Sequence, residues 1–344
     1  MKKRILIPEV SPAILGFATV GGKREKEGPL GEAFDLIDTS DRFCKKTWEK
    51  AEAEMQRLSL CKALEKTGKK ATELDAVFAG DLINQCAASI FGLVSFPAPF
   101  FGIFGACSTL TEGMILASLA LQSPGFSLAA VVTSSHNCTA ERQFRSPIEY
   151  GGQRSPTSQW TVTGAGAYLL SARPEAGAFA RITALLPGIA LDSGVTDSSN
   201  MGAAMAPAAA DTFLAYFEEN GERPEDFDRI VTGDLGEEGS SLFLEFLEQN
   251  GVRNVKNHED CGALIYDRTR ADVHSGGSGC GCAGTTLANR YLPLLQNGKM
   301  RRILFAATGA LMNAASVQQG LSIPGIAHLV RLESPAAGKE EVWS

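Results

Sequence analysis

The sequence is poor in the residue patterns that bind metals, and this argues against the common classes of metalloenzyme. It holds only four histidines and eight cysteines among 344 residues, and no two cysteines form a Cys-x-x-Cys pair. Cys280 and Cys282 are the one close pair, and zinc there needs two further ligands that no neighbouring cluster supplies. We therefore predict no metal site and no cofactor, with the cysteines kept as reduced thiols in a cytosolic compartment.

Positive charge and long apolar runs are also scarce. The formal net charge is −7 at pH 7, which argues against a nucleic-acid partner because such a partner needs a basic face. The apolar part of residues 1–8 is too short for a secretion signal, and the apolar run 110–121 is too short to cross a membrane. With 44% hydrophobic residues, the composition is that of a globular protein with a sizeable core.

The most informative stretch runs from Phe100 to Leu121. Residues 100–104 are an apolar run typical of a buried strand, and residues 110–121 are apolar nearly all round, as in a buried helix. A tight turn between them carries Cys107, followed by Ser108 as a cap-type residue. Unpaired N–H groups and the dipole at a helix N-terminus favour a thiolate, or a carboxylate beside it. The alternative is a cysteine that only fills space, since free cysteine is among the most buried residue types.

Hydrophobic periodicity predicts alternating strands and helices along the chain. Gly68 stands where the C-cap of a helix belongs, and a long polar segment runs from Ser134 to Trp160. Gly164 and Gly166 allow either backbone approach to the Cys107 turn or tight packing of a strand on a helix. The predicted strands are residues 4–7, 74–82, 128–133 and 161–171, and the predicted helix is 41–67.

The second half of the chain repeats the first. Four segments recur in the same order at offsets of roughly 150 to 175 residues. The matched pairs are 75–82 with 228–235, 105–109 with 279–287, 129–133 with 303–308, and 166–171 with 325–330. Each copy alternates strands with helices, which implies βαβ units. We predict a duplicated α/β protein with one half at 1–172, carrying Cys107, and the other at 173–344, carrying His274.

This organisation resembles the thiolase fold, in which a cysteine lies between a buried strand and a central helix. Val273-His-Ser-Gly-Gly-Ser-Gly279 is similar to the thiolase motif Gly-His-Pro-x-Gly-x-Ser-Gly, although one residue shorter. The resemblance implies two βαβαβαββ halves in a layered αβαβα sandwich. It also implies that Cys107 is an acyl-accepting nucleophile and that His274 is the catalytic histidine.

A closer resemblance covers most of the chain. It rests on the ordered strings Thr133-Ser-Ser-His-Asn137, Thr139-Ala-Glu-Arg-Gln-Phe-Arg145, Glu149-Tyr-Gly-Gly-Gln153, Trp160-Thr-Val-Thr-Gly164, Thr232-Gly-Asp-Leu235 and Gly276-Gly-Ser-Gly-Cys-Gly-Cys282. Together they resemble the stage V sporulation protein AD family, the thiolase-like part of the machinery that loads dipicolinic acid into the forespore. The resemblance implies a binder of dipicolinic acid with integral-membrane partners, on the cytoplasmic side of the spore inner membrane. Members of this fold commonly pair through the first-half sheet, so we also expect a homodimer.

The sequence departs from the enzymes of this fold at two functional positions. Where condensing enzymes keep a histidine, or thiolases an Asn-Glu, the chain reads Thr232-Gly233-Asp234. Where thiolases carry a second cysteine, it reads Ala307-Thr308-Gly309. Members of a nucleophile–base team fail together, so we predict that ordinary thiolase chemistry is lost. What survives is a pocket for a flat diacid, which needs N–H donors or cations at both ends.

Candidate ligand contacts come from three parts of the chain. The predicted pocket residues are Cys107, Ser108, His136, Asn137, Arg142, Arg145, Gly233, Asp234, His274 and Ser275, and the segment 134–160 also offers Tyr150 and Arg154. The alternative for this segment is structural: His136 caps a strand end, and the arginines pair with Glu141 or Glu149.

The sequence is also compatible with two other functions. One is an acyltransferase or 3-ketoacyl synthase that acts on CoA or carrier thioesters through Cys107 and His274. The other is a scaffold whose ancestral pocket is vestigial.

Overall fold

The protein is built on a central mixed β-sheet that helices cover. The computed structural model describes residues 3–144, 154–173, 175–269 and 273–338. The strands are β1 (Ala13–Gly21), β2 (Leu36–Ile37), β3 (Ala76–Gly80), β4 (Phe100–Gly102), β5 (Leu128–Ser135), β6 (Trp160–Thr161), β7 (Gly164–Ser171), β8 (Ala180–Leu186), β9 (Arg229–Thr232), β10 (His258–Asp260), β11 (Gly277–Ser278), β12 (Arg302–Ala310) and β13 (Gly325–Glu333). The helices are α1 (Lys23–Lys26), α2 (Trp48–Thr67), α3 (Ala87–Leu93), α4 (Thr109–Ala120), α5 (Asn137–Phe144), α6 (Met201–Asn220), α7 (Gly236–Gln249), α8 (Cys261–Ile265), α9 (Cys280–Thr286), α10 (Leu292–Gln296) and α11 (Ala314–Gln318).

The order of the strands is mirrored about the middle of the sheet. It reads β10-β9-β12-β13-β8-β1-β7-β5-β3-β4. In one half β3 pairs in parallel with β4 and β5, and in the other β9 pairs in parallel with β10 and β12. β7 and β13 then run antiparallel to β5 and β12. The duplication predicted from the sequence is confirmed. The proposed boundary at residue 172 falls between β7 and β8, and the division into two folding domains stays a prediction.

Alternate residues of each strand face different helices, and this produces the layers. On β5, Val131 packs in the central core with α4, whereas Val132 packs with α2 on the other face. On β12, Phe305 joins the same central core and Leu304 packs with α6. Because side chains alternate across a sheet, one buried strand supports two cores. The helices α4 and α9 thus lie between the two halves, with α2 and α6 outside.

Helix α2 shows how local signals set the ends of an element. Thr47 caps its start, where the side-chain oxygen accepts a hydrogen bond from the Lys50 amide at 3.4 Å. Gly68 ends it in the left-handed conformation with φ 67°, as predicted. The predicted start at Asp41 is wrong, because Asp41, Phe43 and Cys44 adopt positive φ and cannot continue a helix.

Glycines in β7 let α9 approach the sheet closely. A Cβ at Gly166 would lie 2.6 Å from the Gly284 carbonyl oxygen, and one at Gly281 would lie 2.4 Å from the Gly164 carbonyl oxygen. Both distances are shorter than any ordinary contact of a side-chain carbon. Of the two interpretations of Gly164 and Gly166, the structure therefore supports tight packing of a strand on a helix.

Two expectations about strands are wrong. Residues 4–7 form no strand, and the only pairing described there is a bridge between Leu6 and Leu185. The run 100–104 was expected to be buried, but β4 is the last strand on one edge of the sheet, and Phe100, Phe101 and Phe104 are 39%, 48% and 45% exposed. An apolar run does not distinguish a central strand from an edge strand that a partner covers.

The core contains carboxyl groups whose burial changes their proton affinity. Glu25 accepts hydrogen bonds from the Tyr266 hydroxyl and the Thr163 amide, and burial raises its pKa to about 7. Glu52 accepts from Thr139, and burial together with the nearby Asp81 raises the pKa of Glu52 well above its usual range. Burial penalises the ionised form of a carboxyl group, so both groups favour the proton in the folded state.

We predict that thermal stability falls as the pH rises from about 6.5 to 8.5, because a raised carboxyl pKa gives stability that is present below the unfolded pKa and lost as the pH passes the folded pKa. Unfolded histidines have a pKa of about 6.5, so they lose their remaining charge in the lower part of this window and oppose the trend equally in the wild type and the variants. Glu25→Gln should reduce the loss of melting temperature measured by circular dichroism, whereas Glu65→Gln, at an exposed position, should leave it unchanged. A loss in Glu25→Gln as large as that in the wild type contradicts the prediction.

Candidate ligand-binding site

Cys107 lines a cavity of about 600 Å³. It lies in the turn between β4 and α4, as predicted, and is 5% exposed. Ala106 before it is in the left-handed region with φ 50°, which makes the turn tight. The other walls come from both halves of the chain: α5, residues 154–161, residues 198–201 and residues 310–318.

Side chains within the turn hold it in place. The Ser108 hydroxyl donates to the Gly105 carbonyl oxygen at 2.6 Å, and the Thr109 hydroxyl donates to the Ala106 carbonyl oxygen at 2.6 Å. The Thr109 oxygen also accepts from the Gly105 amide at 3.1 Å. Ser108 was expected to contact the ligand, but its hydroxyl is used inside the turn and is fully buried. Its role is to fix the backbone on which Cys107 sits.

Asp234 is the polar partner of the Cys107 thiol. The negative charge of the Asp234 carboxylate acts on this thiol and raises its pKa. The carboxylate itself accepts hydrogen bonds from the Thr308 hydroxyl at 2.7 Å and from the Gly279 amide at 2.8 Å. Asp234 is fully buried, and burial raises its pKa to about 7 against the lowering effect of its donors. Asp234 therefore joins the first-half cysteine to two loops of the second half.

The two positions where the sequence departs from thiolase enzymes are in direct contact. Besides the Asp234–Thr308 hydrogen bond, a Cβ at Gly233 would lie 2.8 Å from the Ala307 Cα. A Cβ at Gly309 would lie 2.3 Å from the Gly105 carbonyl oxygen. Gly233 was expected to contact the ligand, but this packing gives it the role of a close backbone contact instead. The two altered positions therefore pack against each other and against the Cys107 turn.

The environment of Cys107 favours a thiol rather than a thiolate. Burial raises the pKa of the Cys107 thiol well above its usual value, and the Asp234 carboxylate raises it further, while the Gly279 amide opposes them weakly. The expectation that the helix N-terminus favours a thiolate is therefore wrong. Desolvation and a neighbouring negative charge outweigh the helix dipole, which is worth about 0.3–1 kcal/mol at an exposed end.

Cys280 is a second thiol beside Cys107, and no function was predicted for it. Its Sγ donates to the Ala106 carbonyl oxygen at 3.1 Å, across the boundary between the two halves. Its pKa is raised well above the usual value by burial. Cys280 thus ties the start of α9 to the Cys107 turn as a neutral thiol.

His274 is not among the described residues that line the cavity at Cys107. It is half-buried, with a strained φ of 39°. The second-half neighbours of Cys107 are instead Gly279 and Cys280, which follow His274 by five and six residues in the chain. Ser275 likewise serves a different purpose: its carbonyl oxygen accepts from the Glu237 amide at 2.9 Å and holds the start of α7.

His136 and Asn137 are used in packing at the end of β5. His136 is 1% exposed, and its Nδ1 accepts from the Cys138 amide at 3.1 Å. Its Nε2 therefore carries the hydrogen and donates to the Asp41 carbonyl oxygen at 2.9 Å. Burial lowers the pKa of His136, so it is neutral at pH 7. The Asn137 backbone amide donates to the Thr163 hydroxyl oxygen at 3.1 Å, whereas its buried side-chain nitrogen has no partner among the described residues. The structural alternative for His136 is the one that the geometry supports.

The arginines of the polar segment differ in position. Arg142 lines the cavity at its exposed side, where it pairs with Glu49 and its side chain is 55% exposed. Arg154 lines it with a side chain only 10% exposed and pairs with Glu141 at 3.2 Å. Arg145 and Tyr150 lie outside the described residues. The charged side chains among the described lining residues are Glu141 and these two arginines, so this part of the wall carries net positive charge.

Several lining residues gave no signal in the sequence. Met201 opens α6, while Met312 and Val317 lie in the segment after β12, more than 100 residues away from it along the chain. Such residues carry no motif, and only the folding of the two halves brings them to the cavity. Arg154 was one of several equivalent arginines in the sequence, and only its burial distinguishes it.

The described ranges also bear on metal binding and on membrane crossing. These residues contain no group of three or more His, Cys, Asp or Glu side chains placed to hold a metal ion. Across the same part of the chain, no helix combines the length and apolar character needed to cross a membrane.

Similarity to solved structures identifies the fold. A 3-oxoacyl-(acyl carrier protein) synthase III from Xanthomonas oryzae matches with a TM-score of 0.58 and 16% identity, covering 94% of this chain and 100% of that one. An OleA variant from Xanthomonas campestris matches with a TM-score of 0.59 and 15% identity, again covering 94% and 100%. At this identity the likeness shows the fold alone, and it confirms the predicted thiolase-like architecture.

Similarity of sequence identifies the family. The family model of stage V sporulation protein AD matches residues 2–333. Stage V sporulation protein AD of Bacillus subtilis (strain 168) is 41% identical over 316 residues, which are 92% of each chain. The chain therefore belongs to the stage V sporulation protein AD family and has the thiolase-like fold.

Proposed function

We propose that this protein binds dipicolinic acid, free or as its calcium chelate, in the cavity at Cys107 without transforming it, and serves dipicolinate uptake into the forespore. Membership of a sporulation family supports the biological setting. The observation that carries the binding proposal is a cavity lined by Cys107 as a neutral thiol together with two arginines. We further propose that the protein works beside the spore inner membrane, on its cytoplasmic side, with integral-membrane proteins of the same machinery.

The chemistry of the cavity suits a flat anionic ligand. Its volume of about 600 Å³ lies within the usual range of small-molecule sites. Phe104 and Phe144 supply apolar surface for an aromatic ring, while Arg142 and Arg154 favour carboxylates. The Gln159 side-chain nitrogen is already committed, since it donates to the Asp234 and Gly277 carbonyl oxygens. Its buried Oε1 has no partner among the described residues, but an amide oxygen only accepts hydrogen bonds and does not pair with a carboxylate. The cations are therefore the groups that select the charge of the ligand.

The thiol environment argues for binding without covalent chemistry. A nucleophilic cysteine needs a base or cation that stabilises its thiolate. Cys107 instead lies buried beside the Asp234 carboxylate, whose negative charge opposes ionisation of the thiol. His274, the histidine that the thiolase resemblance implied as partner, is not among the described residues that line the cavity.

Filling the cavity should abolish binding of dipicolinate, measured by isothermal titration calorimetry. Ser198 lines the cavity, so Ser198→Trp should remove the binding heat, whereas Ser193→Trp, at an exposed position in the same segment, should leave it unchanged. Cys107→Ser keeps a donor to Asp234 and should keep affinity within about threefold of the wild type. The absence of heat with the wild-type protein, or full binding by Ser198→Trp, contradicts the proposal.

Acyl transfer is the second candidate function. It is favoured by the access of the cavity to Cys107 and by the fold shared with condensing enzymes. It requires Cys107 to attack a thioester as a thiolate, with loss of the CoA or carrier thiol and formation of an acyl-cysteine. The two candidate functions therefore differ in whether the mass of the protein changes.

We predict no acyl adduct on Cys107 after incubation with acetyl-CoA or longer acyl-CoA thioesters, measured by intact mass. Because its pKa is raised, Cys107 should also react with iodoacetamide at about pH 8 well after the exposed Cys44 and Cys61. Those two thiols are the internal reference for accessibility. A stable adduct that maps to Cys107 and is lost in Cys107→Ser supports the enzyme instead.

An exposed apolar face supports the proposal of a homodimer. It consists of Ile90, Phe91 and Val94 at α3 with Phe100, Phe101 and Phe104 at β4. Phe91 and Val94 are 76% and 77% exposed, and β4 is an edge strand with an unpaired side within the described sheet. Such a surface is typical of an interface, and a second copy could extend the sheet edge to edge. We propose that this face pairs two copies of the chain.

Phe91→Glu should convert the dimer to a monomer, measured by size-exclusion chromatography with light scattering. The introduced carboxylate would have to be buried without a partner in the interface. The control is Leu321→Glu, which replaces an equally apolar side chain that is 54% exposed outside this face and should leave a dimer. A wild-type monomer, or a dimer of Phe91→Glu, contradicts this interface.

A further inference from the structure

Arg154 is the more enclosed of the two described arginines in the cavity. Its side chain is 10% exposed, compared with 55% for Arg142. An enclosed guanidinium interacts more strongly with an anion than an exposed one, because water and salt screen it less. An arginine held in place by its neighbours also loses less conformational freedom when a ligand binds.

The contacts of Arg154 fix its position and leave its Nε without a described acceptor. Nη1 pairs with Glu141 Oε1 at 3.2 Å, and Nη2 donates to the Gln159 carbonyl oxygen. The guanidinium carbon lies 5.0 Å from the centre of the Trp160 ring. Among the described residues, nothing accepts a hydrogen bond from the buried Nε. A buried donor of a charged group that lacks an acceptor is unfavourable, so the site gains free energy when a further acceptor arrives.

Glu141 brings a carboxylate to the same guanidinium from within the protein. Glu141 also lines the cavity, on α5. A carboxylate of the ligand would approach the same guanidinium from the cavity side. The two carboxylates therefore compete for Arg154, and the ligand must displace Glu141 to reach the end of the guanidinium at Nη1.

We propose, resting on the proposed function, that Arg154 anchors one carboxylate of the ligand and that Glu141 occupies Arg154 until the ligand displaces it. The ligand class is a planar aromatic dicarboxylate: one carboxylate pairs with Arg154, and the ring lies along the apolar wall. The competition lowers the affinity of every ligand that uses Arg154 by the same factor, so the diacid is favoured through the additional contacts of its second carboxylate. Arg142, at the exposed side of the cavity, contributes long-range attraction rather than the anchor.

A double-mutant cycle measured by titration calorimetry with dipicolinate tests the anchor in the full-length chain. We expect Arg154→Gln to weaken binding about thirtyfold, as for a lost charge-assisted hydrogen bond. Glu141→Gln should tighten binding about fivefold by removing the competitor. The double variant should bind like Arg154→Gln, because the benefit of removing Glu141 depends on the arginine.

A second ligand separates anchoring from a general structural effect. Pyridine-2-carboxylate has one carboxylate fewer than dipicolinate, so the wild type should prefer the diacid, whereas Arg154→Gln should bind the two acids about equally. The matched control is Arg24→Gln: the Arg24 guanidinium lies 3.9 Å from the same Trp160 ring, but Arg24 is not among the described lining residues. Its removal should leave both affinities unchanged.

The outcomes distinguish this anchor from the binding function itself. Binding by the wild type together with affinity of Arg154→Gln within twofold of it overturns the anchor and leaves the function standing. A benefit of Glu141→Gln that persists without Arg154 overturns the competition. No binding by the wild type rejects both proposals. Should Arg154→Gln fail to fold, Arg154→Lys decides, because it keeps the charge but not the planar fork: weaker binding supports the anchor and unchanged affinity overturns it.

Discussion

The burial of the Asp234 carboxylate beside the Cys107 thiol is the constraint on which the site depends. It brings a loop of the second half against a turn of the first, and the same carboxylate accepts hydrogen bonds from Thr308 and Gly279. Because the carboxylate is fully buried, water does not replace these two donors. The arrangement also sets the chemistry: a buried thiol beside a carboxylate remains protonated and is a poor nucleophile.

The two-fold repetition of the chain explains where this contact lies. Each half ends its parallel strands beside a central helix, and the two central helices meet between the halves, at α4 and α9. Gly164 and Gly281 permit the close approach of α9 to β7, so the start of α9 reaches the Cys107 turn. The cavity is consequently built from the loops of both halves, and neither half alone supplies its walls.

The elements of the fold were largely predictable, and the site was predictable only in part. The Cys107 turn, α4, β3 and the C-cap at Gly68 follow from local signals, namely apolar periodicity and a glycine in the left-handed region. Asp234 is predicted from the sequence as a ligand contact, whereas in the structure its carboxylate binds Thr308 and Gly279. His136 and Ser108 were expected at the ligand, yet both have their polar atoms satisfied by nearby backbone groups. A sequence shows which groups can form hydrogen bonds, but not which acceptors the backbone will bring to them.

The sequence by itself determined the duplication, the thiolase-like fold and the place of Cys107 between a strand and a helix, because periodicity and short motifs are local properties. Only the tertiary structure decided the protonation of Cys107, the absence of His274 from its described contacts, and the enclosure of Arg154 rather than Arg142. These properties depend on burial and on neighbours distant in the chain, such as Asp234 beside Cys107. Desolvation is a property of the folded surroundings, and it outweighs what a helix N-terminus confers locally.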